Sequence, residues 1–153
     1  MEIRFDNKKR AKSISNVLSL VVMLVILAIG LNYLWFETTD KAIEVSLWLA
    51  LVVIIVLYYI GGFCYVEFMG NDSKLEVKYY NLFPFWREYK RIVLPIERLK
   101  SMKVRAGLGI LGRGLSIYGR ISGRLAMFPT VGLSALSKSQ LDELKQYAAS
   151  VSK

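Results

Sequence analysis

The residues of this chain that could do chemistry are cations. From Arg98 up to Asp142 stand Arg98, Lys100, Lys103, Arg105, Arg113, Arg120, Arg124 and Lys138, with no carboxylate among them. Arg113, Arg120 and Arg124 each come directly after a glycine. A turn backbone there can offer N–H groups beside a guanidinium, which suits phosphate oxygens. Period-two alternation puts Lys103 and Arg105 on one strand face, making them the best-supported pair for a common site. Lys103, Arg105, Arg113, Arg120 and Arg124 are therefore the candidate anion-binding residues. A solvated basic face held near anionic lipid, worth about 1 kcal/mol per cation, explains the same charge without a shaped site. Both readings stand.

Much other chemistry is excluded or unsupported. The chain has no histidine, which removes the commonest general base, the commonest metal ligand and every Ser-His or Cys-His nucleophile pair. The acids Glu67, Asp72, Glu76, Glu88, Glu97, Asp142 and Glu143 are scattered and form no paired-carboxylate motif. Residues 107–112 match G-x-G-x-x-G, but residues 113–119 have strand-and-turn character, and no acid appears until Asp142. A dinucleotide site needs a strand, a helix and an acid about 20 residues on, so these read as hairpin glycines. Cys64 is the single cysteine, so there is neither an intrachain disulfide nor a thiolate cluster. It lies near the end of an apolar run, where palmitoylation is feasible and a small apolar helix residue is the simpler reading. The expectation is a protein that is not an enzyme and uses no cofactor and no metal.

Aromatics interleave with cations in residues 79–91, where Tyr79, Tyr80, Phe83, Phe85, Trp86 and Tyr89 accompany Arg87, Lys90 and Arg91. Such rings can stack bases, rest at a bilayer interface or fill a small core. Trp86, Tyr89 and Tyr118 are the candidates for a stacking or interface role. Asn32 is the strongly polar side chain within the apolar runs, placed to hydrogen-bond across helices and specify an oligomer.

These residues must be positioned by two kinds of element. Residues 17–36 and 43–63 are apolar runs free of Lys, Arg, Asp and Glu, apart from Glu44. At about 1.5 Å of rise per residue, each makes a helix of roughly 30 Å, the thickness of a bilayer's hydrocarbon core. The first run is too long for a signal peptide and ends in Asn, Tyr, Trp and Phe, so it reads as an anchor. Tyr33, Trp35 and Phe36 are expected at the outer interface, Tyr65 and Phe68 at the inner one. Basic residues crowd the two ends of the chain, while Glu37 and Asp40 lie between the runs. The positive-inside rule then predicts a multi-pass protein of a bacterial inner membrane with both termini cytoplasmic.

The chain thus divides into three regions: a basic cytosolic arm, 1–16; a two-helix transmembrane hairpin, 17–66; and a basic cytosolic α+β domain, 72–153. Alternation predicts strands near 75–79, 85–94, 102–110, 115–118 and 124–128, separated by glycine and proline turns. Leu141, Leu144, Tyr147, Ala148 and Val151 make one face of a final amphipathic helix. Ser137 or Ser139 can cap it, with Gln140 or Asp142 at capping-box spacing. The predicted fold is a membrane α-helical hairpin plus a small α+β domain of about five antiparallel strands and that helix. Its thin core favours self-association into a homo-oligomer.

Residues 128–144, where the last strand feeds the final helix, carry a resemblance to small bacterial two-span membrane proteins with a pleckstrin-homology-like cytosolic domain. That resemblance implies a seven-stranded barrel with a C-terminal helix. The layout is also similar to cyclic-oligoadenylate-responsive membrane effectors of type III CRISPR defence. It implies a cytosolic domain that binds a cyclic oligonucleotide and a membrane part that disrupts or depolarises the envelope. Two functions are thus expected of the basic domain. One is a messenger-responsive antiviral effector, the other a pleckstrin-like scaffold holding lipid headgroups or a protein partner. The partners are the bilayer, an anionic ligand and further copies of the chain, with no part for duplex nucleic acid.

Overall fold

The computed structural model describes residues 2–35, 41–83, 87–107, 111–121 and 123–151. Two helices, α1 (Lys8–Trp35) and α2 (Lys41–Gly61), are each long and apolar enough to cross a membrane. Their apolar side chains mostly face outward, Leu24, Leu27, Leu49 and Ile60 among them. Such faces suit hydrocarbon and not water. The helices lie against each other, and the Tyr33 hydroxyl donates to the Glu44 carboxylate between them. α1 begins well before the apolar run, so its first two turns, bearing Lys8, Lys9, Arg10 and Lys12, extend the helix beyond its apolar part.

The remaining strands form two antiparallel sheets. The first holds β1 (Ile3–Asp6), β2 (Cys64–Gly70), β3 (Lys74–Asn81) and β4 (Lys90–Pro95), in that order. A 3-10 turn at Ile96–Arg98 leads to β5 (Leu99–Arg105), β6 (Gly114–Ile121), β7 (Arg124–Met127) and β8 (Val131–Gly132). Here β6 pairs with β5 on one side and with β7 and β8 on the other. Alternation decides what is buried: the row Phe5, Phe68, Val77 and Ile92 runs across the first sheet facing the core. Leu115 and Ile117 meet it from the second sheet. Phe68 stacks on Phe5 at 5.4 Å and meets Tyr147 edge-on at 5.7 Å.

Helix α3 (Lys138–Val151) packs on β5 and β1, burying Leu141, Leu144, Tyr147 and Ala148 as its sequence stripe requires. Ser137 and Gln140 form the capping box: Gln140 N donates to Ser137 Oγ at 3.2 Å, and Ser137 N to Gln140 Oε1 at 3.1 Å. Gln140 Nε2 also donates to Asp6 O at 2.7 Å, tying α3 to the end of β1.

Several expectations are corrected. Residues 72–153 were expected to hold about five strands; among the described residues they hold six, β3 to β8, and β1 and β2 bring the total to eight. β1 lies inside the stretch read as a basic arm, and it becomes a strand only because Ile3 pairs with Gly70, far along the chain. β2 begins inside the stretch read as membrane hairpin, because Cys64, Tyr65 and Val66 continue the apolar run of α2. The α+β unit therefore takes in residues 3–6 and 64–70 in addition to 72–153. Phe68 is fully buried in the sheet core and not at a bilayer interface, and Cys64 opens a strand instead of ending a helix. β4 starts at Lys90 and not at 85; residues 84–86 lie outside the described residues. β5 ends at Arg105, where the expected strand ran to 110; residues 108–110 lie outside the described residues, and Gly107 comes close to Leu111. A Cβ on Gly107 would sit 1.8 Å from Leu111 O, a contact only glycine avoids.

Candidate functional site

The helices are fastened to the sheets at their ends. α2 stops at Gly62, whose φ of 65° favours glycine. Gly112 N donates to Gly61 O at 3.0 Å, and Ser134 N to Gly62 O at 3.4 Å. The backbones approach so closely that a Cβ on Gly132 would lie 2.2 Å from Gly62 O. α1 is fixed through Asn7, which is buried between β1 and the helix. Its Nδ2 donates to Cys64 O at 3.0 Å, and its Oδ1 accepts from Val66 N at 2.8 Å. A second apolar cluster, Ala11, Tyr58, Leu82 and Ala135, fills the space between the helices and the sheets.

Beside this joint opens a cavity of about 570 Å³. Tyr59 and Ile60 from the end of α2 form part of its wall, with Tyr79 and Tyr80 of β3. Lys90, Arg105 and Arg113 supply three cations, against the carboxylate of Glu88. Lys90 Nζ lies 3.0 Å from Glu88 Oε2, a hydrogen bond and charge pairing that hold the Lys90 ammonium above its usual range. Cys64 also faces the cavity, but burial pushes its thiol up, so it stays protonated and unreactive. Three cations around an open, tyrosine-walled space can bind phosphate or carboxylate oxygens.

A ladder of tyrosines flanks the cavity on the outward face of the first sheet. Tyr65 and Tyr80 are register partners with rings 4.9 Å apart, and Tyr89 lies 4.7 Å beyond. Burial, then the nearby Glu67 and Asp6 carboxylates, push the Tyr65 hydroxyl up to about 12. It stays neutral at any physiological pH.

The five candidate cations do not make one site. Arg105 and Arg113 line the cavity; Lys103, on the same strand face as Arg105, instead places Nζ 5.9 Å over the Tyr118 ring. Arg120 lies at a separate cleft of about 340 Å³ with Arg98 and Lys100, and Arg124 is exposed on β7. The antiparallel register separates them: Arg105 is opposite Gly114, whereas Leu99, at the other end of β5, is opposite Gly119. Lys90 was missed as a cavity residue. The signal that finds it is its pairing with Tyr79, a β3–β4 register that no local pattern in the sequence announces. Of the aromatic candidates, Tyr89 stands in the ladder, Tyr118 lies under Lys103, and Trp86 falls outside the described residues. Asn32 is half-buried within α1. Of the glycine motif, Gly112 is a positive-φ turn, and residues 108–110 lie outside the described residues.

Compared with family models, curated proteins and solved structures, the chain matches none of them.

Proposed function

We propose that this chain is a non-enzymatic, multi-pass protein of a bacterial inner membrane that holds an anionic headgroup against the bilayer as a pleckstrin-like scaffold. Both termini are cytoplasmic in this reading. One observation carries it: Lys90, Arg105 and Arg113 share a cavity whose wall includes Tyr59 and Ile60 of a membrane-length helix. Cations and tyrosines at the end of such a helix lie at headgroup depth, where anionic lipid is concentrated. The two antiparallel sheets and the C-terminal helix support the pleckstrin-like comparison.

A second reading has its own observation. Because α2 ends in the cavity wall, a soluble phosphorylated messenger bound there would bear on helix packing, as a membrane-disrupting homo-oligomeric effector requires. It would act only by binding one helix arrangement more tightly than another.

Thermal unfolding of the full-length chain in mild detergent separates the two. The panel holds glycerophosphoglycerol, inositol phosphates and cyclic oligoadenylates at near-physiological salt. A shift of several degrees with the lipid headgroups supports the scaffold; one confined to a cyclic oligoadenylate supports the effector. Arg105→Glu and Arg113→Glu should each weaken binding about ten- to a hundredfold, the worth of a charge-assisted hydrogen bond. Arg120→Glu and Arg124→Glu should leave it unchanged. Equal, salt-sensitive shifts with every anion would reduce the cavity to surface electrostatics, and turnover of any panel compound would overturn the non-enzymatic reading.

A further inference from the structure

We infer that a groove along α1, separate from the anion cavity, holds one phospholipid by both its phosphate and its acyl chain. This site rests on the proposed membrane location but not on the residues of the anion cavity. The groove has a volume of about 420 Å³ and lies between α1, Tyr58 of α2 and Ser134 after β8. That volume is in the range of small-molecule sites, about 300–1,000 Å³.

Its polarity is graded. Arg10, Ser13 and Ser134 line one end, and Val17, Leu18 and Val21 continue along the same face of α1. From Arg10 to Val21 the helix rises about 16 Å, half the hydrocarbon thickness of a bilayer and so one leaflet. A phospholipid has this profile: a phosphate, then ester oxygens, then hydrocarbon. Arg10 is pre-positioned for the phosphate, because its Nη1 donates to Leu136 O at 3.1 Å while most of its five donors stay available.

Two further groups mark the polar end. The hydroxyls of Tyr58 and Ser134 are buried and hydrogen-bond to nothing among the described residues. Both residues line the groove, so a small side-chain rotation would offer these hydroxyls to ester oxygens. A second copy fits less well: it inserts in the same orientation, so its α1 would bring a further Lys8, Lys9, Arg10 and Lys12 to the depth of this Arg10.

The test is native mass spectrometry of the full-length chain purified in mild detergent, with circular dichroism to confirm that each variant is folded. In an Arg105→Glu background, which takes the cavity's headgroup out of the count, the chain should retain one phospholipid. Added to that background, Arg10→Glu and Val21→Trp, which repel the phosphate and fill the hydrocarbon end, should each reduce occupancy at least tenfold. Leu49→Trp, elsewhere on the apolar surface, should retain the lipid. Failure of the anion cavity alone would therefore leave this site intact. The Arg105→Glu chain without lipid would overturn the inference. So would retention by either groove variant, or equal loss in Leu49→Trp, which marks ordinary annular lipid. A changed oligomeric state with no lipid bound would assign the groove to a second copy and overturn it too.

Discussion

Glu76 is buried on the outward face of β3, with its side chain only 6% exposed, yet it keeps its charge. Burial by itself would raise its pKa. Arg91 at 2.9 Å, Lys78 at 3.5 Å and Lys74 at 3.6 Å outweigh that and hold the carboxyl below its usual range. A depressed folded-state pKa stabilises the fold above the unfolded value, near 4.5, and the benefit is lost as pH falls through the lower folded value. Melting temperature measured from pH 6 to pH 3 should therefore fall on the acid side. Glu76→Gln should melt lower at pH 6 and show a flatter acid limb; an unchanged slope would remove Glu76 as the cause. The alternation Lys74, Glu76, Lys78 was legible as one strand face, but Arg91 joins it only through the register with Lys78.

At the scale of elements, the apolar helix pair α1 and α2 is an insertion into a sheet. β1 precedes the two helices, β2 comes after them, and the two strands pair as neighbours. Residues 72–153 alone therefore lack two of the four strands of the first sheet, along with Phe68 and its contacts to Phe5 and Tyr147. That fragment should fail to give a cooperative thermal transition. Replacing residues 8–62 by a short turn should restore one, because Asn7 already hydrogen-bonds Cys64 and Val66 and the gap is small. A cooperative melt from 72–153 alone would show that the first sheet tolerates losing half its strands. The capping box adds a local contribution: Ser137→Ala should cost about 1 kcal/mol by denaturant unfolding.

For the whole molecule, the β1–β2 pairing constrains topology independently of charge. Strands that hydrogen-bond to each other lie in one compartment, so a chain that crosses the membrane between them must return to the side it left. In the proposed orientation that side is the cytoplasm, as the positive-inside rule reads the cation distribution. In a Cys64→Ser background, a membrane-impermeant maleimide should label Lys41→Cys on intact cells. Lys138→Cys should be labelled only after permeabilisation. The reverse pattern would invert the proposed orientation, and labelling of both on intact cells would contradict a crossing hairpin. Spatially, the basic excess divides between the helix junction, with Lys90, Arg105 and Arg113, and the separate cleft with Arg98, Lys100 and Arg120.

By itself the sequence determined whatever depends on local periodicity and composition. That includes two apolar helices of membrane length, the alternating strand of Leu75, Val77 and Tyr79, and the final helix with its Ser137–Gln140 cap. These are set by side chains a few residues apart, whose faces are dictated by 3.6- and 2-residue repeats. Only the tertiary structure decided that Ile3–Asp6 is a strand, that Cys64–Gly70 leaves the helix, and that Lys90 belongs with Arg105 and Arg113. Each depends on pairing between residues far apart in the chain, where register sets the neighbours. A short strand such as Ile3–Asp6 carries too few residues to announce itself without its partner.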